Sequence, residues 1–249
     1  MVMMKRFSLL TAALVPIALG LVSAPASAKL VELGATNTPL ARPACPPNTP
    51  PAKCFIVLTR TTALQSVSDS VVNPTTVKTA GWIVSFTVGL SQLSTNATTE
   101  KGFLHQLDAT YGGTPQIAIT VLKRGPKHQF TVAGQTPLFH VLPYLGQLLT
   151  MPLSLPPNFT QFNPLPVKPG EVVGLTVPTW APVLSYNLTS NKFAYRQSRK
   201  ANCKNAAAGE TAQMSIGANT QYLCSYAGTR VEYSASEITN QPFPKKYVH

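Results

Sequence analysis

The stretch that decides the fold runs from Pro164 to Pro182 and reads PLPVKPGEVVGLTVPTWAP. Pro169 and Gly170 suit the two central positions of a type II turn, because proline presets the first φ and glycine accepts a positive second φ. Apolar residues then alternate from Glu171 to Val177, which predicts a strand. One face of it carries Val173, Leu175 and Val177, and the other carries Val172, Gly174 and Thr176. Pro178 lacks an N–H and is expected to end the strand.

The same alternation recurs elsewhere in the chain. Its clearest instance, from Gly81 to Ser91, predicts a row of core-facing side chains, namely Trp82, Val84, Phe86, Val88 and Leu90. Gln116–Lys123 and Lys127–Ala133 predict a hairpin around residues 124–126, with Ile117, Ile119, Val121, Phe130 and Val132 facing inward. Residues 94–113 show no sustained period and predict a loop with a short helical turn from Lys101 to Leu107.

These patterns predict an all-β fold. Turn residues separate the strand signals, and no helical period is sustained after the N-terminal segment. We expect an antiparallel β-sandwich of about nine to ten strands. A long connection in mid-chain favours a jelly-roll or Greek-key arrangement.

The N-terminal segment has the pattern of a secretory signal peptide. Lys5 and Arg6 precede an apolar run from Leu9 to Val22, and small residues follow up to Ala28. We expect residues 1–28 to be removed by cleavage after Ala28. A membrane anchor is the alternative, disfavoured because the apolar run is too short to span a bilayer. The remaining chain is expected to hold an N-terminal strand and proline-rich strap (29–53), a single β-sandwich domain (54–239) and a loose C-terminal tail (240–249).

The composition describes a basic chain with few charged side chains. The 249 residues carry a formal net charge of +12, which falls to +10 when Lys5 and Arg6 are removed, and only 11% of residues are charged. This balance fits a secreted protein that is extracellular or associated with an anionic cell envelope. We expect no transmembrane segment after signal cleavage.

The four cysteines are expected to form disulfides, because an even number in an exported chain is typical of that chemistry. Three pairings are possible. We favour Cys45–Cys54 and Cys203–Cys224, since each closes a local loop rich in proline, asparagine, alanine or glycine. A metal site is disfavoured because no two cysteines have C-x-x-C spacing.

Few residues are available for catalysis. The acids of the mature chain are scattered in sequence, whereas a carboxylate-based hydrolase needs two of them close together. No Gly-x-Ser-x-Gly motif occurs, and no pair among His105, His128, His140 and His249 has the His-x-His spacing of a metal site. We therefore predict no catalytic residue, no metal ligand and no cofactor. A secreted hydrolase acting on a polysaccharide remains the alternative.

Aromatic and basic residues are the candidates for binding. Trp180 lies between Pro178 and Pro182, which would stiffen a loop that presents the ring to a sugar, assisted by Tyr186 or Tyr144. Alternatively, Trp180 folds back and closes one end of the sandwich. Two basic runs suggest a surface for an acidic polymer. The first contains Lys123, Arg124, Lys127 and His128, and the second contains Lys192, Arg196, Arg199, Lys200 and Lys204. Within the second run we expect ligand contacts from Arg196, Arg199 and Lys200, with a merely solvated face as the alternative.

Four segments together resemble a group of uncharacterised secreted bacterial proteins. The segments are CFIV at 54–57, GWIVSF at 81–86, VKPGEVVGLTVPTWAP at 167–182 and YLCSY at 222–226. The resemblance implies a jelly-roll sandwich over most of the mature chain and implies no activity. The Val-x-Pro-Gly-acid turn also resembles a strand entry of carbohydrate-binding jelly rolls.

We expect, therefore, a secreted, non-catalytic β-sandwich module that binds a cell-envelope glycan or another anionic polymer. Nucleic acid is disfavoured as a partner. A structural protein of an extracellular matrix or surface layer is a further alternative.

Overall fold

The structure is a computed structural model that describes residues 28–44, 56–153, 164–201, 203–204 and 212–240. The predicted signal peptide, the Cys45–Cys54 pair and the C-terminal tail lie outside these residues, except for Ala28 and Asn240. The all-β class is confirmed, because antiparallel sheets pack together as a sandwich and one helix accompanies them. The described part of the chain contains no helix that is both long and apolar enough to cross a membrane.

The strands are more numerous than the sequence patterns indicated. In chain order they are β1 Lys29–Leu33, β2 Leu58–Ser68, β3 Val71–Val72, β4 Gly81–Gly89, β5 Gln116–Arg124, β6 Gln129–Gln135, β7 Phe139–His140, β8 Leu148–Pro152, β9 Leu165–Val167, β10 Val172–Ala181, β11 Leu184–Ser185, β12 Phe193–Gln197, β13 Asn219–Gln221, β14 Cys224–Ala227, β15 Arg230–Val231 and β16 Tyr233–Thr239. A 3₁₀ helix spans Leu142–Tyr144. The prediction of about nine to ten strands was low because two-residue strands show no readable alternation.

Two large sheets form the sandwich. The five-stranded sheet has the order β1-β16-β4-β8, with β9 also paired to β4. The nine-stranded sheet has the order β13-β6-β5-β10-β2-β12-β14, with β3 paired to β2 and β7 to β5. Strands β11 and β15 form a separate pair. All of these pairings are antiparallel.

Strand β10 lies in the middle of the nine-stranded sheet, between β5 and β2, and confirms the predicted turn and faces. Gly170 has a φ of +86°, and the N–H of Glu171 donates to the carbonyl of Lys168 at 3.1 Å, as in a type II turn. Val173, Leu175 and Val177 lie in the main core between the sheets, whereas Val172 packs in a second cluster on the opposite face.

The prediction that Pro178 ends this strand was wrong. Strand β10 continues to Ala181, and its pairing with β2 shifts register between Val177 and Trp180. A β-bulge at this point leaves a residue outside the regular ladder, so a proline without an N–H is tolerated there.

The predicted row of core-facing side chains in β4 was partly wrong, because this strand also contains a bulge. Phe86, Val88 and Leu90 are fully buried, but Trp82 and Val84 are only half-buried, and Ile83 takes the core position instead. The pairing of β4 with β16 shifts register between Ser236 and Glu237. One extra residue reverses the alternation, so the side chains before the bulge exchange faces.

The loop predicted at residues 94–113 is largely a helix, α1, which spans Ala97–Tyr111. The side chain of Asn96 accepts a hydrogen bond from the N–H of Thr99, and Gly112 ends the helix in the left-handed conformation with a φ of +86°. No residue of α1 is fully buried. Because α1 has few apolar residues on one face, its sequence does not show the 3.6-residue recurrence of apolar side chains that predicts a helix.

The nine-stranded sheet is curled into a half-barrel. Strands β13 and β14 occupy the two ends of its main strand order, yet only Tyr222 and Leu223 separate them in the chain. A flat sheet would place these two strands roughly 29 Å apart, because neighbouring strands lie about 4.8 Å apart. The step from Gln221 to Cys224 spans at most roughly 11 Å. The two edges of the sheet must therefore approach each other.

The start of the strap, residues 35–44, crosses the end of β4 and is held there by buried charges. Glu232 accepts from the N–H of Ala41 at 3.1 Å, and Arg230 donates to the carbonyls of Thr38 and Pro39 at 3.1 and 3.0 Å. A Cβ at Gly89 would lie 1.8 Å from the carbonyl oxygen of Ala41, so only glycine fits beneath the strap. Residues 45–53 of the predicted strap lie outside the described residues.

Candidate binding surface

Trp180, the leading candidate for sugar stacking, is fully buried at 0% exposure. Its indole Nε1 donates a hydrogen bond to Oδ1 of Asp108 on α1 at 2.9 Å. A ring in this position offers no face to a sugar, so the ligand-binding role predicted for Trp180 is corrected to a core role. The alternative reading of the sequence, in which this tryptophan folds back into the protein, matches the observed position.

The two tyrosines that were to assist Trp180 are more accessible. Tyr144 ends the 3₁₀ helix with 39% of its surface exposed, and Tyr186 follows β11 and is half-buried. Without an exposed Trp180 they form no aromatic platform around that residue.

The disulfide between Cys203 and Cys224 is confirmed, with a Cα–Cα distance of 5.3 Å. It joins the segment after β12 to the start of β14. The hydroxyl of Tyr226 also donates to the carbonyl of Cys203 at 2.5 Å. Lys200 and Lys204, which flank Cys203 and are both exposed, are thereby held close to the edge of the half-barrel.

The fold brings the two basic runs together, although about 70 residues separate them in sequence. The segment that links β13 to β14 contacts both. The N–H of Tyr222 donates to the carbonyl of His128 at 2.9 Å, and the N–H of Leu223 donates to the carbonyl of Arg199 at 3.0 Å. Arg196 donates to the carbonyl of Tyr222 at 3.1 Å, which places its guanidinium within about 10 Å of the His128 carbonyl.

We use the term basic surface for the six side chains gathered around this segment, namely Arg124, Lys127, His128, Arg196, Lys200 and Lys204. Five of them are exposed and Arg196 is half-buried. Within the described part of the chain, none of the six forms an ion pair with a carboxylate. The positive charge here is therefore not neutralised by described acidic side chains.

Arg124 of the basic surface contacts a buried pair of aromatic rings. The Arg124 guanidinium lies 5.5 Å from the centre of the Phe130 ring, in a cation–π contact. The Phe130 ring packs edge-on against the buried Tyr222 ring at 4.7 Å between centroids. The turn at residues 125–128 is thus fixed to the same buried aromatic pair as the segment that carries Arg196.

Three residues of the predicted basic runs lie outside the basic surface. Arg199 is only 1% exposed and donates to the carbonyl of Thr59, so the ligand contact predicted for it is corrected to a structural role. Lys192 is exposed at the opposite end of β12 from Arg196. Lys123 is exposed but alternates with Arg124 along β5, which directs the two side chains to opposite faces of the strand.

The concave face of the half-barrel has a polar stripe that sequence analysis missed. The hydroxyl of Thr176 lies 2.8 Å from that of Thr62 and 2.6 Å from that of Thr120, so one row crosses three adjacent strands. Gln135 donates to Thr120, and the N–H of Gln213 donates to Thr62. The period-2 pattern shows which residues share a face but not which strands become neighbours.

Gln213 satisfies much of this polar interior. Its side-chain amide donates to the carbonyls of Phe130 and Ala218 at 3.0 and 2.8 Å, and its Oε1 accepts from the Tyr222 hydroxyl. Burial raises the pKa of Tyr222 well above its ordinary value, so this hydroxyl stays a donor at neutral pH. The segment from Gln213 to Tyr222 therefore closes the half-barrel with hydrogen bonds as well as with apolar contacts.

The described acids and imidazoles include one buried carboxylate beside an arginine and three exposed histidines. Glu232 is buried against Arg230, with 3.6 Å between its Oε2 and Nε, and it holds the strap. Burial raises the pKa of Glu232, and Arg230 opposes that shift. His105, His128 and His140 are exposed on α1, on the β5–β6 turn and on β7. The described residues contain no group of three His, Cys, Asp or Glu side chains that could hold a metal ion.

Comparisons of the chain with protein-family models, with curated proteins and with solved structures returned no match. The geometry of the basic surface is therefore the basis for a functional assignment. The resemblance to secreted bacterial jelly-roll proteins remains a prediction.

Proposed function

We propose that this protein is a secreted, non-catalytic β-sandwich module that binds an anionic polymer of the cell envelope through the basic surface. One observation carries the proposal: two basic runs distant in sequence meet around Tyr222 and Leu223 without ion-pair partners among the described acids. A fold that needed these cations only for solubility would gain nothing from gathering them.

The meeting of two basic runs suits a polymer. At physiological salt the Debye length is about 8 Å, so charges on neighbouring segments are only partly screened from one another. Repeated phosphates or carboxylates along a chain can contact several of these side chains at once. Each contact is individually weak at a solvated surface, and the contacts reinforce one another only when the anions are linked.

Secretion is part of the proposal. The N-terminal pattern of basic, apolar and small residues supports export. The Cys203–Cys224 disulfide is compatible with an extracellular location, because disulfides persist in oxidising compartments.

The test compares two charge-reversal variants with the same net charge. The first carries Lys127→Glu, Lys200→Glu and Lys204→Glu within the basic surface. The control carries Lys78→Glu, Lys101→Glu and Lys168→Glu, at three exposed lysines elsewhere. Binding to polyphosphate, polyglutamate and uncharged dextran is measured by titration calorimetry at low and physiological salt.

We expect the wild-type chain and the control to bind at least one polyanion and not dextran. The first variant should bind at least about tenfold more weakly and with a shallower salt dependence. Equal binding by the two variants, or no binding of any polyanion by the wild-type chain, would refute the proposal.

A further inference from the structure

Three large apolar side chains are exposed on the segment from Gln213 to Leu223, whose C-terminal end meets the basic surface. Met214 is 43% exposed, Ile216 65% and Leu223 44%. All three belong to the segment that closes the half-barrel. Exposed apolar side chains are common singly, but three within ten residues, with Leu223 close to lysines that pair with no described acid, make this segment amphipathic.

Hydrogen bonds place these side chains at both ends of β13. The N–H of Gly217 donates a hydrogen bond to the carbonyl of Val132. This bond holds the loop that carries Met214 and Ile216 beside β6. At the other end, Leu223 donates to the carbonyl of Arg199, the residue before the exposed Lys200. The ring of Tyr222 points into the half-barrel, so the next side chain, Leu223, points outward.

We propose that this surface docks on an anionic phospholipid bilayer. The side chains of Met214, Ile216 and Leu223 enter the interface between headgroups and acyl chains, and Lys127, Lys200 and Lys204 contact the lipid phosphates. The inference goes beyond the proposed function: it uses the same cations, and it adds the phosphates of a lipid surface as a second anionic partner.

The chemistry of the surface favours a bilayer over the other possible occupants. A soluble polyanion accounts for the lysines but leaves the three apolar side chains in water. A second copy of the chain could cover the apolar side chains, but it would bring the same lysines, which pair with no described acid, face to face. An anionic bilayer satisfies both groups, because apolar burial and attraction to anionic headgroups add in interfacial binding.

The experiment measures co-sedimentation of the full chain with two kinds of vesicle, phosphatidylcholine alone and phosphatidylcholine mixed with phosphatidylglycerol. The test variant carries Met214→Ser, Ile216→Ser and Leu223→Ser. Its control carries Leu30→Ser, Val72→Ser and Leu148→Ser, three exposed apolar residues on other strands. A single Ile216→Ser variant serves if the triple variant does not fold, and circular dichroism verifies the fold of each.

We expect wild-type protein and the control to bind the mixed vesicles and not phosphatidylcholine alone. The test variant should bind the mixed vesicles at least about tenfold more weakly while its affinity for polyphosphate is unchanged. Each of Lys127, Lys200 and Lys204 replaced by glutamine should weaken vesicle binding about fivefold, which corresponds to about 1 kcal/mol per cation near an anionic membrane.

Each other outcome overturns a distinct claim. If the wild-type chain binds polyphosphate but not the mixed vesicles, the lipid inference fails and the proposed function stands. If it binds neither, both fail. Self-association of the wild-type chain in sedimentation equilibrium that the test variant abolishes would assign the apolar side chains to a contact between copies, and would overturn the lipid inference.

Discussion

The indole Nε1 of Trp180 lies 2.9 Å from Oδ1 of Asp108, and this hydrogen bond joins the end of β10 to α1. The helix buries no residue completely, so few apolar contacts hold it to the sheet. A buried indole N–H requires an acceptor, because leaving it unpaired costs the desolvation of the group. Asp108 therefore acts as a positioning contact between the helix and the strand.

Replacing Asp108 by alanine should destabilise the protein by about 1–3 kcal/mol, because the buried N–H of Trp180 would lose its acceptor. Asp108→Asn retains an oxygen at the same place and should cost less. Denaturant unfolding followed by tryptophan fluorescence measures both. Equal losses for the two variants would show that the hydrogen bond is not the cause.

Replacing glycine by alanine should have opposite effects on stability at Gly89, beneath the strap, and at Gly102, in α1. In Gly89→Ala the new Cβ would lie 1.8 Å from the carbonyl oxygen of Ala41, so the strap must move, and we expect a loss of about 1–3 kcal/mol or more. Gly102 lies in α1, and a Cβ added there would meet no atom within 4 Å, so Gly102→Ala should stabilise by about 0.5–1 kcal/mol. Thermal unfolding of the two variants should shift in opposite directions.

Glu237 should make stability depend on pH. Its side chain is 1% exposed, and its Oε1 has no hydrogen-bond partner among the described residues. Burial raises the pKa of this carboxyl above its ordinary value of 4.5. The protonated form thus favours the folded state, and its contribution is complete below about pH 4.5 and is lost as the pH rises through the folded-state pKa.

The variant Glu237→Gln resembles the protonated form at every pH. We expect it to melt at a higher temperature than the wild-type protein at neutral pH and at about the same temperature near pH 4. Asp69→Asn, in a partly exposed turn, is the matched control for the loss of one carboxylate. A constant offset across the pH range would contradict the assignment to burial of the charge.

Removing the Cys203–Cys224 disulfide should lower the free energy of unfolding by about 3 kcal/mol, because the unfolded chain gains the conformational entropy of the opened loop. The double variant Cys203→Ser and Cys224→Ser is compared with the wild-type protein in urea unfolding under oxidising conditions. Because the disulfide holds Lys200 and Lys204 near Leu223, the variant should also bind polyanions more weakly under conditions where it stays folded. Unchanged stability would show that the bond does not constrain the unfolded chain.

Local patterns predicted the strands whose faces differ in polarity. The turn at Pro169–Gly170, the two faces of β10 and the β5–β6 hairpin all follow from the alternation of side chains and from the φ angles of proline and glycine. The predictions failed at the bulges near Pro178 and Val84, because a single extra residue changes a face without changing the composition. They also failed at α1, where caps rather than an apolar stripe define the helix.

The candidate site shows the same division. The sequence contains both basic runs, but no local sequence pattern indicates that His128 and Arg196 lie close together in the fold. The curl of the sheet brings them together, and the curl depends on the short link between β13 and β14. Trp180 illustrates the reverse case, since its flanking prolines suggested exposure while the packing of α1 over the end of β10 leaves it buried.

The amino-acid sequence by itself determined the all-β class, the two faces of β10 and the excess of positive charge. These properties depend on neighbours a few residues apart. Only the tertiary structure decided which strands are adjacent, which of the possible cysteine pairs forms after β12, where bulges reverse a face, and that the two basic runs meet around Tyr222 and Leu223. Those relationships depend on contacts between distant parts of the chain, and the free energy of the whole fold selects them.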